Sequence, residues 1–205
     1  MPETKRHLEQ RTLLYQILQL AFGREAAVGS EQFVYWDPTD PSACLAPDAF
    51  VRLGSPDVAF ESWKVWERGA PHLAVEIVSK ADARDADWAA KLAKYRRLGV
   101  MELVRFDPAA AALPLRVWDD IDGVLEERAV SNGAAAECRP LGAHWIVGAG
   151  AGWKTLRLAR DAAGAELLPT PAEAAAIEAR TAERVRDDAL RRVRELEDAL
   201  GLRGE

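Results

Sequence analysis

The sequence predicts a mixed α/β (α+β) domain that carries a long terminal helix, and three observations predict it. Helical apolar spacing occurs at 4–21 and 87–98, with short runs between and after them bounded by Gly, Pro and Asp. One of those runs, Leu73–Val78, is apolar on both parities, as a central strand is. From Pro171 onward the composition shifts to Ala, Glu and Arg, with no Gly or Pro inside 172–200.

The first helix places Leu8, Leu14, Ile17, Leu18 and Ala21 at helical spacing, and Gly23 stops it. Gln32–Trp36 is an aromatic and β-branched strand closed by Asp37-Pro38. Ala49–Leu53 is a second strand, broken by Gly54-Ser55-Pro56. Leu73–Val78 follows from Gly69-Ala70-Pro71. Trp88, Leu92, Tyr95 and Leu98 form one apolar stripe over 87–98, capped by Gly99. Leu103–Phe106 is stopped by Asp107-Pro108, and Leu115–Trp118 and Val124–Val130 flank the hairpin signal Asp122-Gly123. Trp145–Val147 and Leu156–Leu158 are further strands. The terminal helix has a thin seam of Val185, Ala189, Val193, Leu196 and Leu200. Such a seam suits a partner helix or short coiled coil, or else a solvated helix lying on its own domain. The expected organisation is a domain over 1–168 and a helix over 169–205.

Composition narrows the function. With 49% apolar and 29% charged residues, the chain is neither disordered nor collagenous. Two cysteines, Cys44 and Cys138, are too few for a disulfide scaffold or a Cys-based zinc site, which suits the cytoplasm. No run reaches the roughly 18 apolar residues of a membrane helix. The 27 basic against 33 acidic residues give a net charge of −6, so any nucleic-acid contact must come from a local patch.

Glu76 does not fit its surroundings. A carboxylate inside Leu73–Val78 costs several kcal/mol unless it is protonated, paired or bound to a cation. The alternative is a strand-end glutamate that reaches water or an arginine. Asp48 stands behind Pro47 at the mouth of the Ala49–Leu53 strand, which could lie beside the Glu76 strand. Pro56-Asp57 is a similar pair but reads as a turn. Lys91 sits at the edge of the second helix's stripe, its stem covered and its ammonium reaching outward or toward the sheet. A plain helical pair with Asp87 would also explain it.

Together these segments resemble the Uma-two family of proposed restriction endonucleases, a branch of the PD-(D/E)XK nuclease superfamily. The resemblance rests on Ala46-Pro47-Asp48-Ala49-Phe50-Val51, Trp63–Gly69 and Glu76-Ile77-Val78-Ser79-Lys80. It continues through Asp87, Lys91, Tyr95 and Gly99-Val100 to Phe106-Asp107-Pro108. It implies a restriction-endonuclease-like mixed sheet flanked by helices, and a metal-dependent DNA endonuclease. Asp48 would be the motif aspartate and Glu76 the motif glutamate, with the Ile77 carbonyl completing a site for Mg²⁺ or Mn²⁺. Lys91 would replace the usual lysine, whose place is taken by Val78. Glu31 and Glu9 are possible auxiliary acids. Read from the residues themselves, Lys80, Arg84, Lys94, Arg96 and Arg97 form either a basic patch for DNA or an ordinary charged helix face, and the seam of the terminal helix suits a homodimer. The loop after Glu76 departs from the family pattern. A binding or assembly module with an idle site is the competing expectation.

Three other features carry less. Gly148–Thr155 resembles a phosphate loop but has Trp153 where glycine must precede the lysine. His7, His72 and His144 show no metal spacing. Asp119–Gly123 lacks calcium-loop spacing and reads as a turn.

Overall fold

The computed structural model describes residues 4–79, 85–130, 133–150 and 152–200. The chain divides into two units, 1–168 and 169–205.

In the first unit, α1 (Lys5–Phe22) begins at Thr4, whose hydroxyl accepts from His7 N. A six-stranded sheet follows, built from β1 (Ala26–Gly29), β4 (Ala49–Leu53), β6 (Leu73–Ile77), β7 (Glu102–Phe106), β8 (Leu115–Ile121) and β9 (Val124–Arg128), adjacent in that order. All neighbours are antiparallel except β6 and β7. A parallel pair needs a crossover, and α3 (Asp85–Leu98) is that crossover. The β8–β9 turn has positive φ at both Asp122 (51°) and Gly123 (78°), as a type I′ hairpin requires.

Two short sets of strands complete the unit. β2 (Val34–Tyr35), β3 (Cys44–Leu45) and β5 (Trp63–Lys64) pair beside the one-turn helix α2 (Val65–Arg68). β10 (Ala135–Cys138), β11 (Ala143–Ala149) and β12 (Lys154–Ala159) form an antiparallel sheet. The Gly148–Thr155 segment is therefore the β11–β12 hairpin end, with Lys154 Nζ donating to Ala110 O at 2.6 Å.

The main sheet is covered on both faces. Leu73, Val75 and Ile77 of β6 face Leu14, Ile17 and Leu18 of α1, together with Trp145, Leu156 and Leu158 of the second sheet. Ala74, with Phe50, Leu103 and Trp118, faces Trp88, Tyr95 and Leu98 of α3 and Trp63 of β5. All five β6 residues are buried, so both-parity apolarity in this run does mark a central strand. The fold is the expected mixed sheet with flanking helices; on the α1 face, however, a second sheet shares the covering.

The second unit is α4 (Pro171–Ala199). Thr170 and Glu173 form a capping box, with Pro171 opening the helix where its missing N–H costs nothing. Val185, Val193, Leu196 and Leu200 are exposed. No described helix is long and apolar enough to cross a membrane, and both cysteines are free thiols.

A candidate active site at the end of the central strands

The register of β4 against β6 pairs Ala49 with Val75, so Asp48, one residue before β4, falls beside Glu76 near the end of β6. Both side chains are buried, at 5% and 4% exposure. Asp48 Oδ2 accepts from Ile77 N at 2.7 Å, which ties the aspartate to the strand that carries the glutamate.

α3 supplies the other half. Lys91 Nζ donates to Glu76 Oε2 at 2.6 Å, and the Tyr95 hydroxyl donates to Glu76 Oε1. The two residues are one turn apart, so one helix face delivers an amine and a phenol to the same carboxylate. Even so, burial pushes the Glu76 carboxyl up to about 7, against the pull of Lys91 and with a further push from Asp48. The Tyr95 hydroxyl is pushed up by burial and by Glu76, so it remains a proton donor.

His7 enters from α1 on the opposite side. Its Nε2 lies 3.1 Å from Asp48 Oδ1 and 3.1 Å from Ile77 O. A carbonyl only accepts, so this contact places the imidazole proton on Nε2. Sequence spacing gave no reason to connect His7 with Asp48, 41 positions later; only the packing of α1 on the sheet does so. A cleft of about 470 Å³ opens at this point, lined by Lys5, Arg6, His7, Ile77, Ser79 and Pro108 among others.

Among the described residues no three His, Cys, Asp or Glu side chains converge tightly enough to hold a metal ion by themselves. The set here is two carboxylates and a backbone carbonyl. Its chemistry fits a small divalent cation: hard oxygen donors, with a Glu76 carboxyl that burial first and the Asp48 charge second hold above its ordinary range.

The other expected acids make contacts of their own. Glu31, whose N–H donates to Pro47 O beside Asp48, pairs through its side chain with Arg11 at 3.4 Å, and Glu9 pairs with Lys5 at 3.6 Å. Asp57 accepts from Gln19 and from Val28 N, as befits a structural turn residue. Lys94, Arg96 and Arg97 lie on the exposed side of α3, where Arg96 Nε donates to Gly123 O at 2.7 Å. They do not share the buried face that carries Lys91 and Tyr95. Lys80 and Arg84 lie outside the described residues.

The profile of the Uma2 (Uma-two) family, described as "Putative restriction endonuclease", matches residues 1–141. The chain belongs to this family. Every residue of the Asp48, Glu76, Lys91, Tyr95 and His7 cluster falls inside that span. A solved structure from Anabaena variabilis ATCC 29413, "a putative nuclease belonging to DUF820", is similar at 16% identity and a TM-score of 0.44. That likeness covers 58% of this chain and 64% of the Anabaena chain, less than two thirds of its length. No curated protein matches the chain.

Proposed function

We propose that this Uma2 member is a metal-dependent endonuclease that hydrolyses phosphodiester bonds in DNA. The observation that carries this reading is the reach of Lys91 from α3 to Glu76, beside Asp48, at the open end of β6. Asp48, Glu76 and the Ile77 carbonyl would hold Mg²⁺ or Mn²⁺. When bound, that ion supplies an acidified water and a Lewis acid for the phosphoryl oxygen.

The protein's own residues do the rest. The Ile77 N–H fixes Asp48, and Tyr95 fixes Glu76, so neither carboxylate must reorganise as charge develops. Lys91, partly exposed at its side chain, presents positive charge toward an incoming phosphate while orienting Glu76. Charge stabilisation is its role here, since a normal lysine stays protonated at neutral pH. The Lys5 and Arg6 side of the cleft meets the substrate backbone. Homodimerisation through the exposed α4 seam would bring two sites to one duplex, and the free thiols suit a cytoplasmic protein.

One observation favours the competing binding module. The His7 imidazole stands at the point where Asp48 Oδ1 and Ile77 O converge, which an ion would need.

Plasmid nicking with Mg²⁺ or Mn²⁺ tests the reading. Nicking lost in Asp48→Asn, Glu76→Gln and Lys91→Ala supports it. Nicking that survives all three, or none by the native protein with either metal, overturns it. Mn²⁺ should also raise the melting temperature of the native protein and not that of Asp48→Asn.

A further inference from the structure

Arg105 is the register partner of Glu76 on the neighbouring parallel strand, so the two side chains share the α3 face on strands about 4.8 Å apart. No ion pair joins them in the described residues, since both Glu76 oxygens already hold Lys91 and Tyr95. The Arg105 guanidinium lies instead over the indole of Trp88, 5.0 Å from its centroid.

Both side chains are more than nine-tenths buried, Arg105 at 9% and Trp88 at 7% exposure. Arg105 Nε and Trp88 Nε1 are fully enclosed, and neither has a hydrogen-bond partner among the described residues. Two other enclosed arginines set the comparison. Arg128 and Arg157 also leave Nε unpaired. Arg128, however, holds Glu102 and Asp119 with Nη2, and Arg157 Nη2 donates to Leu168 O. Arg116, next in the row on β8, is neutralised by Glu127 at 2.6 Å. Among the described residues Arg105 has an aromatic face and no acceptor.

Arginine and indole N–H groups can only donate. Of the Arg105 guanidinium only Nε is enclosed, so its Nη groups stay open to solvent, and with no carboxylate on them among the described residues they suit an anion. Phosphate oxygens match the guanidinium fork, and Glu76, which Lys91 of α3 holds, lies on the adjacent strand. We propose that Arg105 and Trp88 form a phosphate subsite that binds a backbone phosphate of the substrate beside the one cleaved. The identity of that ligand rests on the nuclease reading above.

Fluorescence anisotropy with a labelled 20-bp DNA duplex, in Ca²⁺ and in EDTA over a salt series, tests it. Arg105→Met should raise Kd roughly tenfold or more. It should also flatten the slope of log K against log[salt] by about 0.9, as loss of one phosphate contact does. Arg105→Lys should keep the slope and lose part of the affinity. The melting temperature of Arg105→Met should equal or exceed that of the native protein, because no carboxylate among the described residues pairs with Arg105; a structural arginine would lose stability.

Unchanged Kd and slope in folded Arg105→Met overturn the subsite, and so does a native protein that binds no duplex. Plasmid cleavage run alongside separates the two claims. Cleavage with Arg105-independent binding removes the subsite and leaves the nuclease, whereas Arg105-dependent binding without cleavage keeps the subsite and removes the nuclease.

Discussion

Two buried glutamates sit on adjacent strands at opposite ends and on opposite faces of the same sheet. Glu102, at the start of β7, accepts from Arg128 at 2.6 Å, Arg139 N at 3.1 Å and Trp145 Nε1 at 3.2 Å. Its neighbour Asp119 shares Arg128 and also takes Arg139 Nη1 at 2.8 Å, so two guanidinium groups meet two carboxylates. Glu76, at the end of β6, has Lys91 and a neutral phenol, with the Asp48 carboxylate pressing on it. Burial is nearly the same at the two positions, 1% and 4% exposure. What differs is the charge balance. The balanced acid joins strands and the second sheet; the other has one ammonium beside two neighbouring carboxylates, an imbalance that the proposed metal ion would relieve.

Exchanging each glutamate for an uncharged residue sharpens this contrast. Glu76→Gln should lower the plasmid cleavage rate by on the order of 10³ with little change in melting temperature, since it removes an unbalanced charge. Glu102→Ala should do the reverse. Breaking a buried pair costs about 3–5 kcal/mol, on the order of 10 °C in a domain of this size. Cleavage per folded molecule should then stay within about twofold. If Glu102→Ala abolished cleavage without loss of stability, the two sites would not be functionally distinct.

Acidity gives the next largest effect. The Glu76 carboxyl is raised from 4.5 to about 7 in the folded protein, so across that window the native state holds a proton the unfolded chain has released. Its contribution is full below pH 4.5, falls as pH rises toward 7, and is gone above. Chemical denaturation should show native stability dropping by on the order of 3 kcal/mol relative to Glu76→Gln over that range. A flat difference would mean that Glu76 is as balanced as Glu102.

The smallest effect is expected from Tyr95→Phe. Removing the hydroxyl costs about 1 kcal/mol and raises the Glu76 carboxyl further. The acid limb of the cleavage profile should move to higher pH while Asp48 and Lys91 remain in place. An unmoved limb would separate Tyr95 from the chemistry.

Much of this was legible along the chain. Leu73–Ile77 showed a buried strand because both parities were apolar, and Glu76 was conspicuous against that background. The stripe of Trp88, Tyr95 and Leu98 showed α3, and placed Lys91 at its edge. β1 and β10, by contrast, read Ala-Ala-Val-Gly and Ala-Ala-Glu-Cys, with almost no β-branched or aromatic signal. They are strands because neighbours pair with them. Tyr95 read as core, and only the fold turns its hydroxyl onto Glu76. His7, Arg105 and Glu102 gave no local signal, since each acquires its meaning from a residue tens of positions away.

Residue order alone dictates where apolar surface must be buried, and therefore that an acid at position 76 would be forced out of water. Periodicity is a local property, readable without knowing what packs against what. Which groups would answer that acid was decided by tertiary structure alone. The parallel crossover swings Lys91 and Tyr95 onto one side of the strand end, and α1 packs His7 against the other. Charge balance is a sum over neighbours in space, and the order of residues along the chain does not contain it.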